Sequence, residues 1–297
     1  MTDVKIILAA TDFSRSAAIA VSRAAQLART ANARLELIHV IPPEPLASGW
    51  SMAEDALGLD SSGARDDAMD RLRRAAERIQ AEFALPVELE LTQGKAHQRI
   101  AARALEITAD LVVVGAHGKH FLLDVFTGTT AQRVQRFSAV PVLVVRQAST
   151  HRYEHVLIAT DFSAAPAAAA RAALRFFPGA AFHVLHVFDV PFAGRLATAG
   201  VEKAKIESYR RQIGDEARRA LANFVRETGL ESSAPSVRVQ PGYPPARIRE
   251  RAADLDADVI VLGTQGKSRL EIGLLGSVTE HVAAESASDI LLVRPPA

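Results

Sequence analysis

The sequence predicts an α/β protein of two similar halves, each an open sheet of five parallel strands with helices on both faces. Short, continuously apolar runs alternate with longer helical patterns throughout the chain. Runs that are apolar on both faces are typical of parallel strands covered by helices on both sides. The same order of runs occurs twice, and a period of this length indicates duplicated domains rather than a solenoid.

The repeat is visible residue by residue. Ala-Thr-Asp-Phe-Ser occupies residues 10–14 and again residues 159–163, each time after an apolar run. The segment 37–40 aligns with 185–187 after a shift of one residue, and 139–146 aligns with 287–294. The polar stretch between the halves predicts domains at 1–147 and 153–297, with a linker at about 147–152.

Each half predicts the order β-α-β-α-β-α-β-α-β, an open doubly wound sheet. The helix before the fourth strand of the second half shows the period most clearly, since Ile248, Ala252 and Leu255 recur at helical spacing. Two segments, Pro42–Gly63 with Trp50 and Asp189–Gly200, are expected to be loops that lead into long helices. The predicted strands are Ile6–Ala10, Leu35–Ile41, Val87–Thr92, Leu111–Gly115, Val142–Arg146, His155–Ala159, Ala181–Phe188, Ser236–Gln240, Asp258–Gly263 and Ile290–Arg294.

The amino-acid composition limits the classes of function that the sequence supports. The 297 residues are 48% hydrophobic and 23% charged, with a net charge of +1, which is ordinary for a globular protein and gives no support for a nucleic-acid or membrane-surface role. The absence of cysteine excludes disulfides and thiolate metal sites. No apolar run is long enough to span a bilayer, and no leader pattern precedes the first strand, so a cytoplasmic location is expected.

A glycine pattern follows the fourth strand of each half. Gly115-x2-Gly118-x9-Gly128-Thr129 recurs 148 positions later as Gly263-x2-Gly266-x9-Gly276-Ser277. Glycines between a strand and a helix let the backbone wrap closely around a phosphate chain. Thr129-x-x-Gln132 and Ser277-x-x-Glu280 also fit the capping box, which predicts a hydroxyl at each helix N-cap.

The other candidate residues fall on the same edge of each predicted sheet. Asp12 and Asp161 follow the first strand of each half, and Val40 and Val187 end the second. Ligands of open parallel sheets lie beyond the carboxyl ends of the strands, where the strand order reverses. His39 and His186 lie beside these valines and are expected to bond backbone or side-chain partners.

Together, the repeated Ala-Thr-Asp-Phe-Ser, the His-Val after the second strand and the doubled glycine pattern resemble the universal stress protein family, over nearly the whole chain. The resemblance implies tandem Rossmann-like domains of the adenine nucleotide alpha-hydrolase-like kind. It implies ATP or another adenine nucleotide as the ligand of members that keep the glycine motif. The first hypothesis for this chain is a regulatory, stress-linked protein that binds ATP, with Mg²⁺ left open. The resemblance also implies that the two halves pair as an intramolecular pseudo-dimer through their last strands, with a homodimer left open.

Carried over by position, the aspartates contact the ribose or adenine, the valines hold the base and the glycine loops hold phosphate. Lys119 and Lys267 follow the second glycine of each loop and could add charge to the phosphate site. The full set of expected binding residues is Ala10, Thr11, Asp12, Val40, Gly115, Gly118, Lys119, Gly128, Thr129, Thr130, Ala159, Thr160, Asp161, Val187, Gly263, Gly266, Lys267, Gly276, Ser277 and Val278.

Other chemistry has less support. No Gly-x-Ser-x-Gly elbow and no full Walker pattern occurs, so no catalytic residue is predicted and at most slow ATP hydrolysis or autophosphorylation stays open. His117 and His120 lack further ligands at metal-binding spacing. Mg²⁺ could be held through phosphates by Asp12, Asp161, Asp124 and Glu271, but capping and solvent exposure explain these residues equally well. The alternative function is a scaffold that binds a protein partner or a hydrophobic ligand, with the glycines serving only as turns.

Overall fold

The computed structural model describes residues 4–43, 61–116, 134, 138–148, 150–189, 201–264 and 276–295. The chain divides into two compact units, residues 2–150 and 151–297. The predicted loops 42–63 and 189–200 lie largely outside the described residues, as does Trp50. The helix after the first of them begins at Ser61, two residues earlier than the predicted loop end.

The first unit is a parallel sheet in the order β3-β2-β1-β4-β5. The chain runs outward from β1 to β3 and then returns to place β4 on the other side of β1. The order therefore reverses between β1 and β4. Its elements are β1 (Ile6–Ala10), α1 (Arg15–Ala31), β2 (Arg34–Ile41), α2 (Ser61–Phe83), β3 (Val87–Gln93), α3 (Ala96–Glu106), β4 (Leu111–Gly115) and β5 (Val142–Val145).

The second unit repeats this topology, with parallel strands in the order β8-β7-β6-β9-β10. The reversal falls between β6 and β9. Its elements are β6 (His155–Ala159), α4 (Ala164–Phe176), β7 (Ala181–Phe188), α5 (Lys203–Thr228), a 3₁₀ turn (Leu230–Ser233), β8 (Ser236–Pro241), α6 (Pro244–Asp254), β9 (Val259–Gly263), α7 (Ser277–Glu285) and β10 (Asp289–Val293).

The predicted fold class is confirmed, since the described part of each unit contains five parallel strands, whose ends lie within one residue of the predicted positions. All five residues of β9 and all five of β10 are buried. Consecutive buried residues point to opposite faces of a sheet, so both faces are covered. In the second unit α4 packs against α5, and α6 packs against α7, which gives the covering helices two pairs.

A carboxylate at the amino edge of each sheet binds the backbone of the neighbouring strand. Asp110 Oδ2 accepts hydrogen bonds from the N–H groups of Lys5 (2.7 Å) and Ile6 (3.2 Å). Asp258 Oδ2 accepts the corresponding bonds from Glu154 (2.7 Å) and His155 (2.9 Å). These bonds satisfy N–H groups at the start of the first strand of each unit, where the sheet ladder does not yet provide acceptors.

The units differ at one position beneath the third helix. In the first unit the buried carboxylate of Glu36 on β2 accepts two bonds from Arg103 of α3, at 2.8 Å from Nε and 3.1 Å from Nη2. The hydrogen bonds to Glu36 raise the pKa of Arg103 above its ordinary value, so the guanidinium stays charged. In the second unit His183 occupies the equivalent register position, and the residue of α6 that acts on it electrostatically is Arg251.

Because of this difference, Arg103→Ala is expected to lower the free energy of unfolding of the first unit by about 3 kcal/mol, since it leaves a buried carboxylate without its partner. The matched substitution Arg251→Ala removes a cation that faces a histidine and is expected to cost little. Hydrogen exchange of the β2 and β7 amides measures the two units separately, which a single denaturation curve does not. Equal losses of protection in the two variants would contradict the assignment.

Candidate functional site

The turn after β1 is held by its own side chains. Thr11 N–H donates to the carbonyl of Ile38 on β2 (2.9 Å), and Thr11 Oγ1 accepts from the N–H of Phe13 (3.0 Å). Asp12 Oδ1 accepts from the N–H of Ser14 (2.9 Å), which in turn caps α1. Phe13 adopts a left-handed φ of 62°, which is uncommon for a bulky residue. The side-chain bonds on both sides of Phe13 stabilise this backbone conformation.

The turn after β6 has the same geometry. Thr160 N–H donates to Leu185 O (3.0 Å), and Thr160 Oγ1 accepts from Phe162 N–H (2.9 Å). Asp161 Oδ1 accepts from both the N–H (2.9 Å) and the hydroxyl (2.6 Å) of Ser163. Phe162 has a φ of 65°. Each turn therefore places one aspartate at the carboxyl edge of its sheet, where the strand order reverses.

Two histidines support these turns from the second strand. His39 Nδ1 lies 2.7 Å from Thr11 O, and His186 Nδ1 lies 2.7 Å from Thr160 O. A carbonyl oxygen only accepts, so Nδ1 carries the proton in both rings. The rings also pack against the phenylalanines of the turns, at centroid distances of 4.3 Å and 4.1 Å. The expectation that these histidines bond backbone partners is confirmed.

The glycine that ends the fourth strand of each unit lies against the first turn of the helix that follows the aspartate. A Cβ placed on Gly115 would lie 2.9 Å from the backbone of Ser16, and one on Gly263 would lie 2.6 Å from Pro166 N. Distances this short to backbone atoms leave no room for a side chain. Both glycines therefore allow close packing of helix and strand, in addition to any contact with a ligand.

Helix α7 begins one residue earlier than the capping-box prediction places it. The N-cap is Gly276, with extended backbone, and Glu280 N–H donates to Gly276 O (2.9 Å). Ser277 is thus the first helical residue, and the prediction that its hydroxyl caps the helix is wrong. The reason is that Gly276 N–H bonds Thr264 O (3.0 Å), which brings the chain into helical register at this glycine.

The start of α7 is fixed to the end of β9. The buried hydroxyl of Thr279 donates to Gly263 O (2.8 Å). The N–H groups of Ser277, Val278 and Thr279 belong to the first helical turn, which has no acceptors within the helix. These amides, and the positive end of the helix dipole, favour an anion at this position.

A cleft of about 170 Å³ lies between these elements in the second unit. Its volume is close to that of a protein cavity that accommodates one aromatic ring. Its lining includes Asp161, the start of α7 and several aliphatic side chains. The lining residues are Ala159, Thr160, Asp161, Pro166, Leu185, Val187, Pro244, Ile248, Leu262, Gly263, Gly276, Ser277, Val278 and Thr279.

Eight of the residues expected to bind in the second half lie together in this cleft: Ala159, Thr160, Asp161, Val187, Gly263, Gly276, Ser277 and Val278. Gly266 and Lys267 lie outside the described residues. In the first half Ala10, Thr11, Asp12, Val40 and Gly115 are described, and the turn geometry matches that of the second. Gly118, Lys119, Gly128, Thr129 and Thr130 are outside the described part of that half, as are His117, His120 and Asp124. Glu271 of the second half also lies outside the described residues.

Six residues of the cleft are absent from the expected set: Pro166, Leu185, Pro244, Ile248, Leu262 and Thr279. Ile248 lies on the apolar face of α6, which periodicity explains as core, and only the packing of α6 against β7 brings it to the cleft. Thr279 could have been found, because a hydroxyl two residues into a helix can reach a carbonyl of the preceding strand.

Among the described residues, no helix is long and apolar enough to cross a membrane.

Comparison with known proteins identifies the class to which this fold and site belong. The model of the universal stress protein family matches residues 3–146 and 152–294. The chain therefore belongs to the universal stress protein family and contains two copies of its domain.

Individual relatives agree with this tandem organisation. A universal stress protein of Mycolicibacterium smegmatis is 28% identical over 306 residues, covering 97% of both chains. One of Methanocaldococcus jannaschii is 33% identical over 147 residues, which are 48% of this chain and 84% of that protein. The crystal structure of a universal stress protein from Archaeoglobus fulgidus has a TM-score of 0.68 and 18% identity, covering 99% of this chain and all of that one. The last comparison supports the fold alone.

The close approach at Gly263 gives a stability prediction. Gly263→Ala is expected to lower the free energy of unfolding of the second unit by about 1–3 kcal/mol, because the added methyl forces helix and strand apart. Gly214→Ala is the control in the same unit, since its Cβ would meet ordinary contacts at 3.6 Å or more and an alanine favours the helix by roughly 1 kcal/mol. Hydrogen exchange of the β9 amides measures both variants within the second unit, and unchanged protection in Gly263→Ala would show that the strand and helix separate without cost.

Proposed function

We propose that this universal stress protein binds ATP, or another adenine nucleotide, at the carboxyl edge of each sheet, and that occupancy of the site rather than turnover is its regulatory output in the stress response. The observation that carries the proposal is the cleft of the second unit. It combines an apolar wall, a carboxylate and a helix N-terminus in one continuous space.

The apolar wall suits a nucleobase. Leu185 and Val187 of β7 approach the cleft beside Pro244 and Ile248 of α6. A flat aromatic ring between such side chains removes apolar surface from water at about 25 cal/mol per Å². Small-molecule sites generally combine such a wall with a few placed polar groups.

The polar groups suit the rest of a nucleotide. An ionised carboxylate only accepts hydrogen bonds, so Asp161 matches the hydroxyl groups of a ribose. The N–H groups at the start of α7 donate and carry a partial positive charge, so they match phosphate oxygens. Thr279 Oγ1 and Gly276 N–H fix this helix start to β9 and Thr264, which preorganises the amides before a ligand arrives.

The first unit is proposed to bind the same ligand. Its Asp12 turn, its His39 contact and its Gly115 approach repeat the geometry of the second unit. A divalent cation such as Mg²⁺ would then accompany the phosphates, as it does in most ATP sites. The two halves should be separable by single substitutions at Asp12 and Asp161.

The sharpest test removes one backbone donor and keeps the helix. Ser277→Pro deletes the N–H of the first helical residue, and proline is well tolerated there. The preceding Gly276 has φ −63° and ψ 143°, which is compatible with a following proline. Loss of a hydrogen bond to a charged group is worth about 1.5–3 kcal/mol, so calorimetry with MgATP should show binding to the second site weakened by roughly 10–100-fold.

Ser277→Ala is the matched control, because it removes the hydroxyl and keeps the amide. It should bind nearly as well as the wild type if the amide is the contact that matters. Equal binding by Ser277→Pro and wild type would contradict the phosphate assignment, and no binding by the wild type would contradict the proposal as a whole.

A second prediction concerns the carboxylate. Asp161→Asn keeps an oxygen for the turn to Ser163 and removes the charge, so the fold should persist while nucleotide affinity of the second site falls. Asp12→Asn should act on the first site alone.

Native mass spectrometry of the purified protein separates the alternative ligand classes, since a retained lipid in place of a nucleotide would favour a hydrophobic-ligand scaffold.

A further inference from the structure

Two histidines meet at the amino edge of the second sheet, at the opposite end of the strands from the cleft. His155 is the first residue of β6, and His183 lies on the adjacent strand β7. Nδ1 of His155 and Nε2 of His183 are 3.5 Å apart, and the ring centroids are 5.7 Å apart. The register pairs Leu157 with His183, so both imidazoles stand on the same face of the sheet.

The separation of the two nitrogens fits a shared cation. Imidazole nitrogens bind Zn²⁺ at about 2.0–2.1 Å, and two of them in a tetrahedral arrangement are then about 3.3–3.4 Å apart. The observed 3.5 Å needs almost no movement to reach that value. It is also at the long limit for a hydrogen bond between two nitrogens, so the direct bond between the rings is weak.

A third side chain holds His183 in place. Ser236 of β8 lies opposite His183 in the sheet, and its Oγ is 2.6 Å from His183 Nδ1. When Nδ1–H donates to this hydroxyl, the lone pair of the neutral ring is on Nε2, which is the nitrogen that faces His155. Metal-binding histidines usually make such a bond through the nitrogen that does not bind the metal.

The guanidinium of Arg251 on α6 acts on His183 electrostatically and opposes a bound cation by charge repulsion, which limits the affinity of the site. On the other side of the strand start, the carboxylate of Asp258 accepts a hydrogen bond from the backbone N–H of His155.

The first unit has no equivalent pair. Glu36 takes the place of His183 and binds Arg103, while Ile6 and Glu88 take the places of His155 and Ser236. The substitution of a carboxylate by a histidine opposite a retained arginine gives up an ion pair that the first unit keeps. The second unit thus has a different use for this position.

We propose that His155 Nδ1 and His183 Nε2 form a two-histidine site for a divalent transition-metal cation of the Zn²⁺ or Cu²⁺ class. Imidazole suits these ions. Among the residues that the structure describes, no third His, Cys, Asp or Glu joins the pair, so water fills the remaining coordination positions. Within the part of the chain that the structure describes, this pair occurs in the second unit, at the opposite end of the strands from the proposed nucleotide cleft.

The test is calorimetric titration of the full chain with ZnCl₂ in the absence of nucleotide. The expected result is one specific site, which is lost in the double variant His155→Gln, His183→Gln. Because the chain has nine histidines, paramagnetic Cu²⁺ is then added in small amounts and side-chain ¹H–¹⁵N spectra are recorded. The signals of His155 and His183 should broaden first. His151→Gln is the control and should bind Zn²⁺ as the wild type does.

Two further variants keep both rings and keep the proposal testable if the double variant folds poorly. Ser236→Ala should weaken Zn²⁺ binding by about 10-fold or more, because it removes the bond that orients His183. Arg251→Ala should tighten binding several-fold, because it removes a nearby positive charge. Undiminished Zn²⁺ binding by the double variant, or no shift in opposite directions for these two variants, would overturn the proposal. No specific Zn²⁺ site in the wild type would reduce the pair to a hydrogen bond.

Discussion

The site depends on the close packing of a strand that ends in glycine against the first turn of a helix. At Gly115 and Gly263 the backbone of the fourth strand of each unit lies so close to the helix after the aspartate that no Cβ fits between them. In the turn before that helix, the carboxylate of Asp12 or Asp161 accepts a hydrogen bond from the serine N–H two residues later. The carboxyl edge of each sheet is therefore shaped by backbone packing before any ligand contributes.

Much of the fold could be predicted from the sequence because parallel strands buried on both faces leave a simple signal, an apolar run of four to eight residues. These apolar runs predict each described strand of the two units to within one residue at each end. The edge on which Asp161 and Gly263 lie follows from the rule for open sheets, and the cleft unites them. Whether they bind a nucleotide remains a prediction.

The features that could not be predicted from the sequence depend on which groups of the folded protein share hydrogen-bond partners and space. The serine of the capping box is not the N-cap here, because the preceding Gly276 takes that position and donates its N–H to Thr264 O. The apolar wall from α6 could not be assigned, since Ile248 has the pattern of any core residue. The glycine motif suggested a binding role for Gly263 and gave no sign of its role in packing. A larger residue at this position is therefore first a test of stability and only then a test of binding. The histidine pair spans two strands and has no spacing signature.

The repetition of the Thr-Asp-Phe turn has a practical value for spectroscopy. His39 and His186 have the same protonated nitrogen, the same carbonyl acceptor at 2.7 Å and a phenylalanine ring against them. Each imidazole N–H therefore reports on the turn of its own unit. A titration that shifts one of these two signals and not the other would show which half has responded.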